Sequence, residues 1–338
     1  MSRRLLLAAV TLTLCACSGE PAAGSAGPPS TSRPTASAAV ATPSFLPSAV
    51  PTPAPTPAPP YAIDALRARP ATGGAISVGG RISAGRGYAT YAVSWPSQGG
   101  TMTGILHLPT GAGPFPVVVV NHGYVPVSQY YAGQDSTKYA DALAAEGFLC
   151  LSPHYPGYIG SSPPQPGVPP IVAEAIADMD LIGALPSLRQ ADPRRVAALG
   201  HSNGGGVALI LLAADPRIRS AVLFAPVSSD MADNARKWWV GAPGSTGGLP
   251  SPDADPDAYR AMSPRYHLPA TIAPTLLMQG TDDEDIPAAW TADTNQALTR
   301  AGARTSFVSF AGATHNFRNA DLVRANGLAR DWLRASLG

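Results

Sequence analysis

Ser202, Asp283 and His315 occur in an order and in local settings that suit acyl transfer. Ser202 lies in Gly200-His201-Ser202-Asn203-Gly204, after an apolar run at 195–199 and before an apolar helical pattern at 207–212. Strand, tight Gly-x-Ser-x-Gly turn and helix form the setting of a nucleophile elbow. The serine there is held in a strained conformation, and flanking side chains would collide with strand and helix. A serine hydroxyl is a weak nucleophile at neutral pH, so a base must take its proton as it attacks. His315, in Gly312-Ala313-Thr314-His315-Asn316-Phe317, supplies an imidazole, a group suited to proton transfer near neutrality. A carboxylate must then fix the imidazole tautomer and stabilise the imidazolium. The run Asp282-Asp283-Glu284-Asp285 offers several. The spacing from Gly280 to Pro287 selects Asp283, with Asp282 and Asp285 as alternatives.

An oxyanion needs two aimed backbone N–H groups. The Asn203 N–H follows the serine. The second candidate is the Tyr124 N–H, after Val120-Asn121-His122-Gly123. His122 reads as a structural residue of that loop. His154 and Tyr155, just beyond an apolar run, and Trp238 and Trp239 are candidates for the substrate pocket. His107, His201 and His267 read as structural. No two histidines stand at metal-ligand spacing, and the acidic run lacks a regular alternation of oxygen ligands, so no metal is expected.

The elements that must position these groups alternate. Strand patterns cover 88–95, 102–108, 116–120, 147–152, 194–199, 220–225, 273–279 and 304–310. Helical patterns cover 135–146, 171–185, 203–214, 287–301 and 321–336. This rhythm predicts an α/β fold with a mostly parallel central sheet covered by helices on both faces. Ser202, Asp283 and His315 then fall at C-terminal strand ends, on one edge of the sheet. Residues 228–269 break the rhythm and read as a short irregular, cap-like insertion.

These residues resemble the α/β-hydrolase superfamily over about 88–336. The likeness is closest to the catalytic domain of prolyl-oligopeptidase-like (S9) and dienelactone-hydrolase-like serine hydrolases. It is carried by Pro116-Val117-Val118-Val119-Val120-Asn121-His122-Gly123, Tyr155-Pro156-Gly157-Tyr158-Ile159-Gly160-Ser161, residues 200–205, Ser263-Pro264, residues 280–287 and residues 312–317. The resemblance implies Ser202, Asp283 and His315 as the triad, with no metal and no organic cofactor. Pro156 stands where many relatives place arginine.

The rest of the chain locates the domain. Over 338 residues the formal net charge is +1, and no basic face stands out, so a nucleic-acid partner is not expected. Cys15, Cys17 and Cys150 cannot form a disulfide framework. Arg3-Arg4 precede an apolar run from Leu5 to Leu14, and Leu14-Cys15-Ala16-Cys17 resembles a bacterial lipobox. Residues 1–16 therefore read as a lipoprotein-type signal peptide, with lipidation at Cys17 and a lipid bilayer as partner. Residues 17–60, rich in Pro, Ala, Ser and Thr, read as a disordered tether, and 61–338 as the catalytic domain.

The resulting expectation is an extracytoplasmic, membrane-anchored serine hydrolase acting on a small or polymeric carboxylic ester through an acyl-enzyme on Ser202. Relatives that are peptidases carry a β-propeller where this chain has tether, which points toward esters. A peptidase or aminoacyl-amide hydrolase remains the alternative, as does a non-catalytic envelope binding protein, and plain secretion is the alternative to anchoring.

Overall fold

The computed structural model describes residues 58–70, 74–242, 244–269 and 272–338. The expected signal peptide, Cys17 and nearly all of the expected tether lie outside the described residues.

Among the described residues nine strands form one sheet: β1 (Ser77–Gly85), β2 (Tyr88–Ser97), β3 (Gly100–Pro109), β4 (Phe115–Asn121), β5 (Leu149–His154), β6 (Ala191–His201), β7 (Ile218–Phe224), β8 (Thr275–Gly280) and β9 (Thr305–Phe310). Their spatial order is β1-β2-β3-β5-β4-β6-β7-β8-β9. Pairing is antiparallel from β1 to β5 and parallel from β5 to β9. The helices are α1 (Ile63–Ala68), α2 (Thr137–Ala144), α3 (Pro170–Ala184), α4 (Asn203–Ala214), α5 (Met231–Asn234), α6 (Pro256–Met262), α7 (Ala288–Arg300) and α8 (Asn319–Leu337).

The β-branched run of β4 sits near the middle of the sheet because it is apolar on both faces. Val117 and Val119 join the core beneath α3 and α4, while Val118 and Val120 join the core beneath α2 and α8. Complete burial stabilises each valine by about 1.5–3 kcal/mol relative to exposure. α4 has no polar stripe because the sheet covers one side and α1 and α3 the other. All of it from Gly204 to Ala214 is buried.

Three departures from the sequence expectations have local causes. β1 was not expected, because Ser77–Gly85 is exposed throughout and has no apolar alternation; its ladder with β2 holds it. The helix expected over 135–146 starts at Thr137, since Asp135 has φ +67° and stands outside it. The cap-like stretch 228–269 contains α5, a π-helical turn at Ala235–Trp239 and α6. These helices are too short to show a period. Their starts are marked instead by caps: Asp230 accepts from the Ala232 N–H, and Asp255 accepts from the Ala258 N–H ahead of Pro256. Met231, Tyr259 and Met262 bury their side chains in the main core.

Candidate active site

β6 runs into α4 through a turn in which Ser202 takes φ +55° and ψ −118°, a region few non-glycine residues occupy. Its backbone is fixed from several sides. The Ser202 N–H donates to the Phe224 carbonyl at 3.0 Å, and its own carbonyl accepts from Gly205, Gly206 and Val227. The glycines permit the close approach this requires. A Cβ on Gly200 would lie 2.0 Å from the Gly204 carbonyl oxygen, and one on Gly204 would lie 2.3 Å from the Asn121 carbonyl oxygen.

His315 follows β9 and Asp283 follows β8. The His315 Nδ1–H donates to Asp283 Oδ2 at 3.0 Å, which leaves Nε2 as the acceptor of the neutral ring. Asp283 is itself held in place. Its Oδ2 accepts from Gln279 Nε2 at 2.7 Å, and its Oδ1 accepts from the Asp285 and Ile286 N–H groups at 2.9 and 2.7 Å. Thr291 Oγ1 donates to the other end of the Gln279 amide at 2.7 Å. Burial raises the Asp283 carboxyl, but His315 and the two backbone N–H groups outweigh it and keep it below the usual carboxylate range. Of the expected alternatives, Asp282 is exposed and accepts from Thr281 Oγ1, and the exposed Asp285 contributes its backbone N–H rather than its carboxylate. Glu284 Oε2 accepts from the His315 N–H at 3.1 Å and so ties down the histidine loop.

Ser202 and His315 line one cavity of about 1040 Å³. Its wall is largely apolar and aromatic, and includes Tyr124, Ile171, Tyr158, Val227, Trp238 and Trp239. Among the described residues, neither the Tyr124 N–H nor the Asn203 N–H donates to a protein acceptor. The Gly123 N–H, in contrast, is committed to Asp135 Oδ2 at 2.6 Å, which leaves Tyr124 as the next donor on that loop.

Asp135 was not anticipated as a site residue. It joins three segments at once. Its Oδ2 also accepts from His201 Nδ1 at 2.7 Å, and its Oδ1 lies 2.7 Å from Lys138 Nζ. His201 Nε2 is 3.1 Å from the His315 carbonyl oxygen, and the two rings are 4.7 Å apart. One carboxylate therefore links the loop before Tyr124, the elbow and the histidine loop. Burial raises it, but His201 and Lys138 outweigh that and hold it far below the usual range. The sequence signal was faint: Asp135 opens the helical pattern expected over 135–146, where an aspartate is ordinary.

Trp238 and Trp239 reach the cavity, as expected of pocket residues, but His154 and Tyr155 do not. His154 is the last residue of β5 and turns toward β3, where Nδ1 meets Thr103 Oγ1 at 3.0 Å. Tyr155 is fully buried beneath the loop, stacks on His122 at 4.0 Å and donates its hydroxyl to the His122 carbonyl at 2.8 Å. Pro156, Gly157 and Tyr158, one turn further on, line the cavity instead. The His122 Nδ1–H donates to the Gly123 carbonyl at 2.6 Å, and burial lowers its ring to about 4, so it stays neutral. Among the described residues no His, Cys, Asp or Glu cluster has the arrangement of a metal site.

The sheet and the elbow have the α/β-hydrolase fold, and the serine with the His–Asp pair is arranged as in serine hydrolases. Residues 179–337 match the model of the prolyl oligopeptidase family. The chain is 29% identical over 181 residues to esterase FrsA of Yersinia enterocolitica, covering 51% of this chain and 41% of that one. The fold is shared with a puromycin-hydrolyzing peptidase of Mycobacterium tuberculosis (TM-score 0.57, 23% identity, 78% of this chain and 39% of that one). It is also shared with the esterase Est2 of Thermogutta terrifontis (TM-score 0.54, 20% identity, 70% and 90%). The chain thus spans about two fifths of the length of FrsA and of the peptidase.

Proposed function

We propose that the protein hydrolyses carboxylic esters through an acyl-enzyme on Ser202. The observation that carries this reading is the hydrogen-bonded His315–Asp283 pair opening into the same cavity as the serine of a strained elbow. Ser202 Oγ bonds to the ester carbonyl carbon as its proton passes to His315 Nε2. Asp283 holds the tautomer and the resulting imidazolium. The Tyr124 and Asn203 N–H groups receive the oxyanion, helped by the N-terminus of α4. Collapse breaks the acyl C–O bond, and the leaving alkoxide takes the proton back from His315. Water then attacks the acyl carbon by the same route and frees Ser202.

The likeness to esterase FrsA supports the ester, and the largely apolar cavity wall suits an acyl chain. A peptidase or aminoacyl-amide reading is favoured by the prolyl oligopeptidase match over 179–337. A panel of nitrophenyl esters against aminoacyl nitroanilides separates the two. Esters are expected to turn over at least about 100-fold faster in kcat/KM; faster amide cleavage contradicts the ester reading.

We also propose that the chain is anchored outside the cytoplasm through Cys17, on the strength of Leu14-Cys15-Ala16-Cys17 behind an apolar run. Cys17→Ser is expected to move the protein from the membrane fraction to the soluble fraction. An unchanged membrane fraction contradicts lipid anchoring.

A further inference from the structure

Glu174 is a carboxylate that the mechanism does not use. It projects from α3 into the wall of the catalytic cavity and is only 6% exposed. Its Oε2 accepts from Asn203 Nδ2 at 2.8 Å. That is the hydrogen bond the carboxylate makes among the described residues. The lysines of this region are engaged elsewhere. Lys138 is paired with Asp135, and Lys237 lies over the rings of Trp238 and Trp290. Asp178, one helical turn along α3, lies outside the cavity lining, and burial pushes its carboxyl well above the usual carboxylate range.

A neutral acceptor would serve the Asn203 amide as well as a carboxylate does. A buried carboxylate facing only an amide carries a desolvation cost that an apolar or amide side chain avoids. Burial pushes the Glu174 carboxyl up to about 7, and the Asn203 contact offsets part of that rise. A cation arriving from the cavity would ionise it fully and form a charge-assisted hydrogen bond. Tyr158, also on the cavity wall, feels the Glu174 charge. Position sets the rest of the chemistry. Glu174 touches the side chain of Asn203, the residue that follows Ser202 and whose N–H is the proposed oxyanion donor. Glu174 and Ser202 therefore share one cavity wall, joined through Asn203.

We infer that Glu174 is the subsite for a substrate ammonium carried close to the scissile carbonyl, so that the preferred acyl groups are aminoacyl groups with a free amine. This deepens the ester reading above and rests on it. A long ω-amino acyl chain would carry its charge past Glu174, and an N-acylated amine would bring no charge to it.

The test uses the full chain with leucine methyl ester and N-acetyl-leucine methyl ester at neutral pH, read as the ratio of their kcat/KM values. The wild-type protein is expected to favour the free amine by about 10- to 100-fold, the value of one charge-assisted contact. Glu174→Gln keeps an oxygen acceptor for Asn203 but removes the charge, and is expected to reduce that ratio to within about threefold of unity. The rate of fluorophosphonate labelling of Ser202 reports whether the variant is folded. A wild-type ratio near or below one, or a variant that keeps the wild-type ratio, overturns the inference. So does a chain whose Ser202 is labelled but which leaves the free-amine ester intact. If Ser202 takes up no phosphonate and neither ester is cleaved, it is the hydrolase reading that fails, and the subsite falls with it.

Discussion

Ser202→Ala lowers kcat on the best ester by roughly 10³- to 10⁶-fold and leaves the thermal unfolding midpoint within a few degrees of wild type. The size of the loss follows from the triad acting as a unit. Without the oxygen there is no acyl-enzyme, and the correctly paired His315–Asp283 couple has no proton to accept. The remaining rate is what the Tyr124 and Asn203 N–H groups and binding alone provide. The small stability change follows from the wiring of the turn. Phe224, Gly205, Gly206 and Val227 hold Ser202 through its backbone, and alanine keeps those bonds. Activity assays and circular-dichroism melts measure the two quantities. Retained turnover in a folded variant removes Ser202 from the chemistry.

Asp283→Asn lowers kcat by roughly 10⁴-fold, while Asp282→Asn and Asp285→Asn each lower it by less than about 10-fold. Three donors converge on the Asp283 carboxylate besides His315. An asparagine there must turn its NH₂ toward one of these donors. If it faces the ring, His315 must present Nδ1 as an acceptor and carry its proton on Nε2, the wrong tautomer for a base. Among the described residues the Asp282 and Asp285 carboxylates make no hydrogen bond to the imidazole, so their charges are dispensable to it. The three variants assayed side by side make the comparison. Equal losses across the three would mean that the acidic loop acts through its summed charge.

Much of this site is legible in the sequence because its geometry is local. The elbow needs glycine wherever backbone meets backbone, and Gly200 and Gly204 mark those places. The β-branched run of β4 and the apolar run that ends β7 announce strands buried on both faces, and the strand ends fix one edge of the sheet for Ser202, Asp283 and His315. What escapes the sequence depends on long-range approach. Asp135 and His201 are 66 positions apart, and Glu174 and Asn203 are 29 apart, and neither spacing carries a periodic signal. His154 and Tyr155 were expected in the pocket because they follow a strand on the reactive edge. The direction of each side chain depended on β3 and on the ring of His122, which the local sequence does not encode. β1 escaped because it is exposed throughout and its pairing with β2, rather than an apolar face, holds it.

The central claim is that one serine carries the chemistry. Titration of the protein with an alkyl fluorophosphonate, followed by peptide mass mapping and a parallel ester assay, tests it most directly. The expected result is one adduct per chain, on Ser202, with activity falling in proportion to its occupancy and no labelling after heat unfolding. Full activity in protein fully modified at Ser202, or activity lost while Ser202 stays unmodified, contradicts it.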